Sequence, residues 1–213
     1  MAANEVGTGV AARTAPAAVA IAAFGLFVWL GFYVNAYGEP ALFVGLERAL
    51  LDHSTLIAWW LTWGCYVYVL IPIVAMLGVL AWRLPRWRGR IVFSIAMLVV
   101  SWRAADLCQR LFARPRRLDW VVHHETSFSY PSSHAAIVAG FYWLWAALLL
   151  ASNVPRTVRT GLAIALTGLG IAICWSRLSL GAHYLTDLIG GALLGIALAS
   201  AAIALVPKIV RPA

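Results

Sequence analysis

The chain has 213 residues, of which 63% are hydrophobic and only 11% charged, with a formal net charge of +8 and eleven tryptophans. A soluble domain carries about 25% charged residues, so this composition excludes a soluble globular protein. It also removes the nucleic-acid partner that +8 implies in a soluble chain, because basic loops that hold a membrane protein in place account for the charge more simply.

Several apolar runs exceed the ~18 residues that mark a membrane-spanning helix. The class is an all-α polytopic membrane protein, and one domain suffices for the length. Residues 1 to about 15 are small and polar and are expected to form a disordered tail. A first span is predicted from about Pro16 to Tyr37. Val34-Asn35-Ala36 imitates a signal-peptidase site, but the apolar stretch before it is longer than the ~7–15 residues of a signal core, so the span reads as retained. Gly38 to His53 is a polar connection holding a short interfacial helix over about Ala41–Leu51. The second span covers about Thr55–Trp82, with Pro72 as its expected kink. Arg83, Arg86, Arg88 and Arg90 form a basic turn before the third span, about Ile91–Phe112, whose last turns carry Arg103, Asp106 and Arg110. A polar loop, Ala113–Pro131, leads to the fourth span, about Ser132–Ala151. The fifth follows over about Thr160–Trp175 and the sixth over about Ala182–Val206, ahead of a short tail, 208–213, with Lys208 and Arg211. Cys65, Cys108 and Cys174 lie in or beside apolar runs and read as small buried hydrophobes, without metal-ligand or disulfide spacing.

Six spans put both termini on one side. Arg13, Arg83, Arg86, Arg88, Arg90, Arg156, Arg159, Lys208 and Arg211 fall there, in short loops or tails, which makes that side cytoplasmic. The opposite face holds Arg48, Arg103, Arg110, Arg114, Arg116, Arg117 and Arg177 together with all of the acids but Glu5. Parity gathers three segments on this face: Arg114-Pro115-Arg116-Arg117, Tyr130-Pro131-Ser132-Ser133-His134, and Ser176-Arg177 through His183 to Asp187.

These residue types in this pattern point to phosphate chemistry. If the sixth helix begins at Ala182, His183 and Asp187 stand one above the other on one face. A carboxylate on one imidazole nitrogen fixes the tautomer and leaves the other nitrogen as a nucleophile. Arg177 offers a planar fork of donors for an oxyanion. The fourth and sixth helices present their N-termini to this face, where free N–H groups and the helix dipole favour an anion. Ser132 is placed to cap the fourth, and Ser133 offers a backbone donor beside it. His183 would then attack phosphorus and form a phosphohistidine, Asp187 would steady the ring, and His134 would serve the leaving oxygen and then water. No carboxylate cluster is present to hold magnesium, so neither a metal nor a cofactor is expected.

The three segments resemble the type-2 phosphatidic acid phosphatase superfamily, whose signature is Lys…Arg-Pro, Pro-Ser-Gly-His and Ser-Arg-x5-His-x3-Asp. Ser176, Arg177, His183 and Asp187 match the third segment in full. Pro131, Ser132 and His134 match the second, with Ser133 in place of glycine. Arg114-Pro115 matches the first, but Leu107 stands where the lysine is expected, leaving Arg110, or Arg117 from the loop, as the substitute phosphate contact. The resemblance implies a six-helix lipid phosphatase of the inner (plasma) membrane, with its site at the non-cytoplasmic ends of helices 3 to 6. The implied substrate is a membrane lipid bearing a phosphate or diphosphate. Undecaprenyl diphosphate, recycled as a cell-envelope carrier, stands first, followed by phosphatidic acid, phosphatidylglycerophosphate and lipid A.

Plainer readings compete at each position. His183 and Asp187 also fit a satisfied buried pair, His134 a capping residue, and Arg103 with Asp106 an ion pair inside the bundle. Arg116, Asp119, His123, His124 and Glu125 read as a solvated loop, and Trp59, Trp60, Trp82, Trp87, Trp120 and Trp175 as interfacial anchors. A transporter or flippase for anionic lipids is the alternative of another class, favoured by helices broken near mid-membrane.

Overall fold

The structure, a computed structural model, describes residues 2–51, 56–117 and 126–210, with side chains from 13 to 209. Asp119, Trp120, His123, His124, Glu125 and Arg211 lie outside the described residues.

Helix α1 (Ala2–Tyr37) contains the first span, Arg13–Tyr37. Its helical backbone begins at Ala2, within the stretch that composition assigns to a tail; alanine there supplies high helix propensity. Helix α2 (Ala41–Leu50) matches the expected interfacial helix. It turns Leu42 and Leu46 outward and buries Glu47, the arrangement of a helix with lipid on one side and polar groups on the other.

The second span is broken. Helix α3 (Leu56–Thr62), a 3-10 turn over Trp63–Cys65 and helix α4 (Val67–Arg83) are bent by 48°. Pro72, the expected kink, sits inside α4, and the break falls at Tyr66, whose backbone is extended. Helix α8 (Arg156–Ser179) presses on this turn: a Cβ on Gly64 would meet Ile173 Cδ1 at 2.7 Å. The Tyr142 hydroxyl donates to the Gly64 carbonyl at 2.6 Å, satisfying an acceptor that the break releases inside the bundle.

Helix α5 (Arg88–Phe112) ends at Ala113, in the left-handed conformation with φ 50°. Helix α6 (Ser133–Ile137), a π turn over Val138–Trp143 and helix α7 (Leu144–Leu150) form one span. That span is 67% buried against 17–39% for the four other unbroken spans, so it is the central helix among them. Helices α8 (Arg156–Ser179) and α9 (Leu185–Leu205) complete the bundle. Among the described residues, five helices are long and apolar enough to cross a membrane, or six if the bent pair forms one span.

One core joins Leu70, Leu98, Phe141, Tyr142 and Ile173 from α4, α5, the π turn and α8. A second joins Phe27, Ala105, Tyr130 and Leu194. Here Tyr130 stacks on Phe27 at 5.6 Å, meets Phe112 edge-on and donates to the Phe27 carbonyl at 2.5 Å. This pins the segment before α6 onto α1. Against the central span, α9 packs backbone to backbone. A Cβ on Gly195 would lie 2.5 Å from the Ala136 carbonyl oxygen, and one on Gly191 would lie 2.9 Å from the Ala135 Cβ. Small residues on one stripe allow this approach, and it sets the two helix N-termini side by side.

Candidate active site

The third segment is delivered by a helix stop. The sequence reading ends the fifth helix near Trp175 and starts the sixth at Ala182. Instead α8 continues to Ser179 and α9 starts at Leu185. Gly181 takes a φ of 66°; its N–H bonds the Leu178 carbonyl at 2.9 Å, while the Ala182 N–H bonds that of Arg177 at 2.9 Å. This paired closure of a helix C-terminus favours glycine at the left-handed position. It leaves Arg177 in the last turn of α8 and folds His183 back toward it.

His183 therefore precedes the helix rather than lying on its face. The pairing with Asp187 survives by another route. Asp187 is the third residue of α9, and its Oδ2 reaches back to accept from the Tyr184 N–H at 2.9 Å and to face His183 Nδ1 at 3.3 Å. Ser129 also donates to Oδ2, and Arg114 donates to Oδ1 at 2.7 Å. A buried carboxylate with this many donors is held as the anion. The backbone joins the second and third segments directly, since the Ser132 N–H donates to the Asp187 carbonyl at 3.0 Å.

Arg114, expected on phosphate, is instead buried between carboxylates. It donates to Asp187 and, at 2.9 Å, to Glu39, and its Cζ lies 4.1 Å from the Tyr184 ring centroid. It braces Asp187 from behind. Arg117, the alternative substitute, is buried in an ion pair with Glu47. Arg110 does not reach the site: it is exposed and pairs with Asp106 at 3.3 Å, while Arg103 faces the same carboxylate at 3.8 Å. The Arg103–Asp106 pair thus lies on the outside of the bundle. Leu107 is exposed too, so a lysine there would point out of the bundle. Arg103, Leu107 and Arg110 lie along the outward side of α5, and Gln109 faces inward.

The N-terminus of α9 is also committed. The Leu185 N–H donates to Glu47 Oε1 at 2.6 Å and the Thr186 N–H to Glu39 Oε1 at 3.2 Å. Two glutamates from the α1–α2 segment take the donors that the sequence reading offered to an anion. Burial, then the charge of nearby Glu39, pushes the Glu47 carboxyl up to about 7. At the central span, Ser132 caps as expected, accepting from the Ala135 N–H at 3.5 Å. Gln109 Nε2 donates to the Pro131 carbonyl at 2.9 Å and to Ser133 Oγ at 3.3 Å, fixing the turn that carries His134.

Arg177 and His134 meet through Thr62. Arg177 Nη1 donates to Thr62 Oγ1 at 2.8 Å, and the same oxygen lies 3.4 Å from His134 Nε2. A hydroxyl accepts from the arginine and rotates to donate to a neutral ring or accept from a protonated one. Tyr66, at the break in the second span, sets its ring edge-on to His134 at 5.2 Å. An apolar cavity of about 560 Å³ between α4 and α5, lined by Tyr66, Leu70, Leu98 and Trp102, ends on Ser133 and His134.

Arg116, read as part of a solvated loop, is at the site. Its Nη1 lies 3.2 Å from His183 Nε2 and donates to the Ala182 carbonyl at 2.8 Å. Its Nε and Nη2 donate to the Ser127 carbonyl and hydroxyl at 2.7 and 2.8 Å. A guanidinium has only donors, so Nε2 carries the lone pair and the ring proton sits on Nδ1, toward Asp187. Burial, then the Arg116 charge, lowers His183 to about 4 against the pull of Asp187. The ring is neutral at pH 7, with its basic nitrogen turned to the cations. Arg116, Thr62, Ser129, Gln109, Glu39 and Glu47 are the residues that motif reasoning missed; Glu39 and Glu47 alone carried a signal, as acids in a chain with few. Among the described residues no group of three or more His, Cys, Asp and Glu side chains is placed to hold a metal ion.

The PAP2 superfamily profile matches residues 108–211, a stretch that contains His134, Arg177, His183 and Asp187 but not Thr62 or the two glutamates. The fold is similar to the crystal structure of a transmembrane PAP2-type phosphatidylglycerolphosphate phosphatase from Bacillus subtilis. The TM-score is 0.76 at 20% identity, over 89% of this chain and 96% of that one. No curated protein matches the sequence significantly.

Proposed function

We propose, from the match of residues 108–211 to the PAP2 superfamily, that this chain is an integral-membrane phosphatase acting on a lipid phosphate or diphosphate through a phosphohistidine on His183. The observation that carries the reading is the buried His183–Asp187 pair, with Nδ1 turned to the carboxylate at 3.3 Å and Nε2 turned to a guanidinium. In the first step the Nε2 lone pair forms the N–P bond on the terminal phosphorus as its bond to the leaving oxygen breaks, the ester oxygen of a monophosphate or the bridging oxygen of a diphosphate. The leaving oxygen takes a proton from His134. In the second, water gives a proton to His134 and attacks phosphorus, the N–P bond breaks, and orthophosphate leaves a neutral His183. Arg177 and the N–H groups of the turn at Ser133 neutralise the equatorial oxygens, with Ser132 fixing that turn. Asp187 holds the ring, and Arg114 holds Asp187.

The apolar cavity that ends on His134 supports a substrate whose tail stays in the membrane. Undecaprenyl diphosphate is the first candidate, with the site on the exterior face and both termini in the cytoplasm. Phosphatidylglycerophosphate is the nearest rival, because the similar solved structure is described as a phosphatase for it; phosphatidic acid and lipid A complete the panel. Hydrolysis assays across these lipids, read as released phosphate, order the substrates. The reaction proceeds in EDTA, and loss of activity in chelator would rule out this metal-independent route. His183→Ala yields neither a phosphohistidine nor turnover. The 48° break in the second span favours one second reading, an anionic-lipid transporter; lipid movement between leaflets without phosphate release would establish it.

A further inference from the structure

Four side chains stand in a row behind the nucleophilic nitrogen, and the last of them lies outside the stretch that matches the superfamily. His183 Nδ1 faces Asp187 Oδ2 at 3.3 Å, and Asp187 Oδ1 accepts from Arg114 Nη1 at 2.7 Å. Arg114 Nη2 then donates to Glu39 Oε2 at 2.9 Å. None of the four side chains is more than 5% exposed. We infer that Glu39 is a positioning residue for the phosphoryl transfer proposed above, on which this inference rests: it balances the charge of Arg114 and so leaves that of Asp187 to His183.

A turn at the end of α1 brings Glu39 to this place. Helix α1 stops at Tyr37, Gly38 takes a φ of 75°, and its N–H closes on the Val34 carbonyl at 3.0 Å. Asn35 ties the same turn to the end of α5, donating from Nδ2 to the Phe112 carbonyl at 2.7 Å. The Glu39 carboxylate reaches α9, where it accepts from the Thr186 N–H at 3.2 Å and from the Thr186 hydroxyl. That hydroxyl in turn accepts from Arg114 Nη1 at 2.8 Å, so glutamate and arginine are fixed to each other both directly and through Thr186.

The row alternates in sign when the reaction needs it to. As Nε2 forms the N–P bond the ring becomes cationic, and from Glu39 to His183 the charges read negative, positive, negative, positive. Each charge then has an opposite neighbour, in a buried place where such attractions are stronger than in water. Without Glu39, Arg114 turns its whole charge on Asp187 and competes for it with the imidazolium. Glu47 stands beside Glu39 but is engaged by Arg117 and the Leu185 N–H.

The groups facing His183 are Asp187 from α9, Arg116 from the loop after α5 and Arg177 from α8. Of these, Asp187 favours the charged ring and the two arginines oppose it. Weakening the hold of Asp187 therefore moves protonation of His183 to lower pH, a change that loss of a merely structural tie does not produce.

The test uses the full chain in proteoliposomes, with dioleoylphosphatidic acid and a polyprenyl diphosphate as substrates. Glu39→Gln is expected to lower kcat by about 10- to 100-fold, the scale on which partners one step behind an oriented histidine act. KM changes little, because Glu39 touches no part of the substrate, and the acid limb of kcat/KM moves to lower pH. Combined with Asp187→Asn, the same substitution slows the enzyme no further, because the charge it guards is already gone. Glu39→Asp keeps the charge one methylene short and retains an intermediate rate; it carries the same readouts should the glutamine variant fold poorly. Asn35→Ala, which cuts another tie on the same turn, leaves the acid limb where it is in wild type. An active wild type with an E39Q variant unchanged in kcat and acid limb overturns the role of Glu39 alone, and so do losses that multiply in the double variant. A wild type that releases no phosphate from either lipid and forms no phosphohistidine overturns the phosphatase reading, and this inference with it.

Discussion

His183 sits in a balance of charges that fixes what pH does to it. The ring is lowered to about 4 by burial and by Arg116, so it stays neutral down to mildly acidic pH. The acid limb of kcat/KM assigned to this ring should lie well below the ordinary value of about 6.5 for histidine; a limb at 6.5 would show an imidazole in water-like surroundings. Asp187→Asn keeps the shape of the carboxylate but loses the acceptor that holds the proton on Nδ1. A fall in kcat on the order of 10³–10⁴ is expected from the wrong tautomer, measured with melting temperature as the control for folding. Glu47 responds in the opposite sense. Its folded pKa, about 7, lies above the unfolded value of 4.5, so the folded state holds the extra proton between these limits and stability falls as pH rises through them. The stability advantage of wild type over Glu47→Gln should shrink from pH 4.5 to 7; an advantage that grew over this range would contradict the assignment. Which residues share the candidate site was legible for the third segment, because Arg177, His183 and Asp187 are close in sequence. The contacts of Arg116 were not, because Ser127 and His183 stand 11 and 67 residues away and no local pattern marks them.

At the level of the elements, the spans themselves followed from apolar run length, but their ends did not. Hydropathy stops α8 at Trp175, because Ser176 and Arg177 are polar; the helix continues since Arg177 has a buried partner in Thr62 and Gly181 offers a left-handed stop four residues past it. In the same way Pro72 marks a kink by rule, yet the bend falls at Tyr66, where α8 crowds Gly64 and Tyr142 takes its carbonyl. Tertiary contacts decide such points, and one chain's local composition does not contain them. The contact between α9 and the central span is the most demanding in the bundle. Gly195→Val places a branched side chain against the Ala136 carbonyl, and a cost of about 1–3 kcal/mol or more is expected from overpacking. Gly161→Val, where a Cβ meets open space, should leave the melting temperature near that of wild type. Equal melting temperatures for the two variants would mean that α9 is not seated as described.

For the molecule as a whole, the basic loops and the site are expected on opposite sides of the membrane. A cysteine placed at Arg86 should react with an impermeant maleimide only after cells are opened, and one at Ser127 should react in intact cells once their envelope is made porous to the reagent. The reverse pattern would invert the topology. The spans were readable from apolar run length, whereas the inward path of Glu39, Glu47 and Thr62 toward the site was not, since nothing in residues 38–65 resembles a signature. That path has a practical meaning. Glu39 and Glu47 tie down the first turn of α9, and Thr62 stands between Arg177 and His134, yet all three precede the stretch that bears the diagnostic residues. A fragment beginning at Cys108, or a chimera that grafts it behind a foreign leading half, would carry the whole stretch that matches the PAP2 superfamily and arrive with its helix ends untied. The signature travels in one half of the chain, but the working device is not portable without the other.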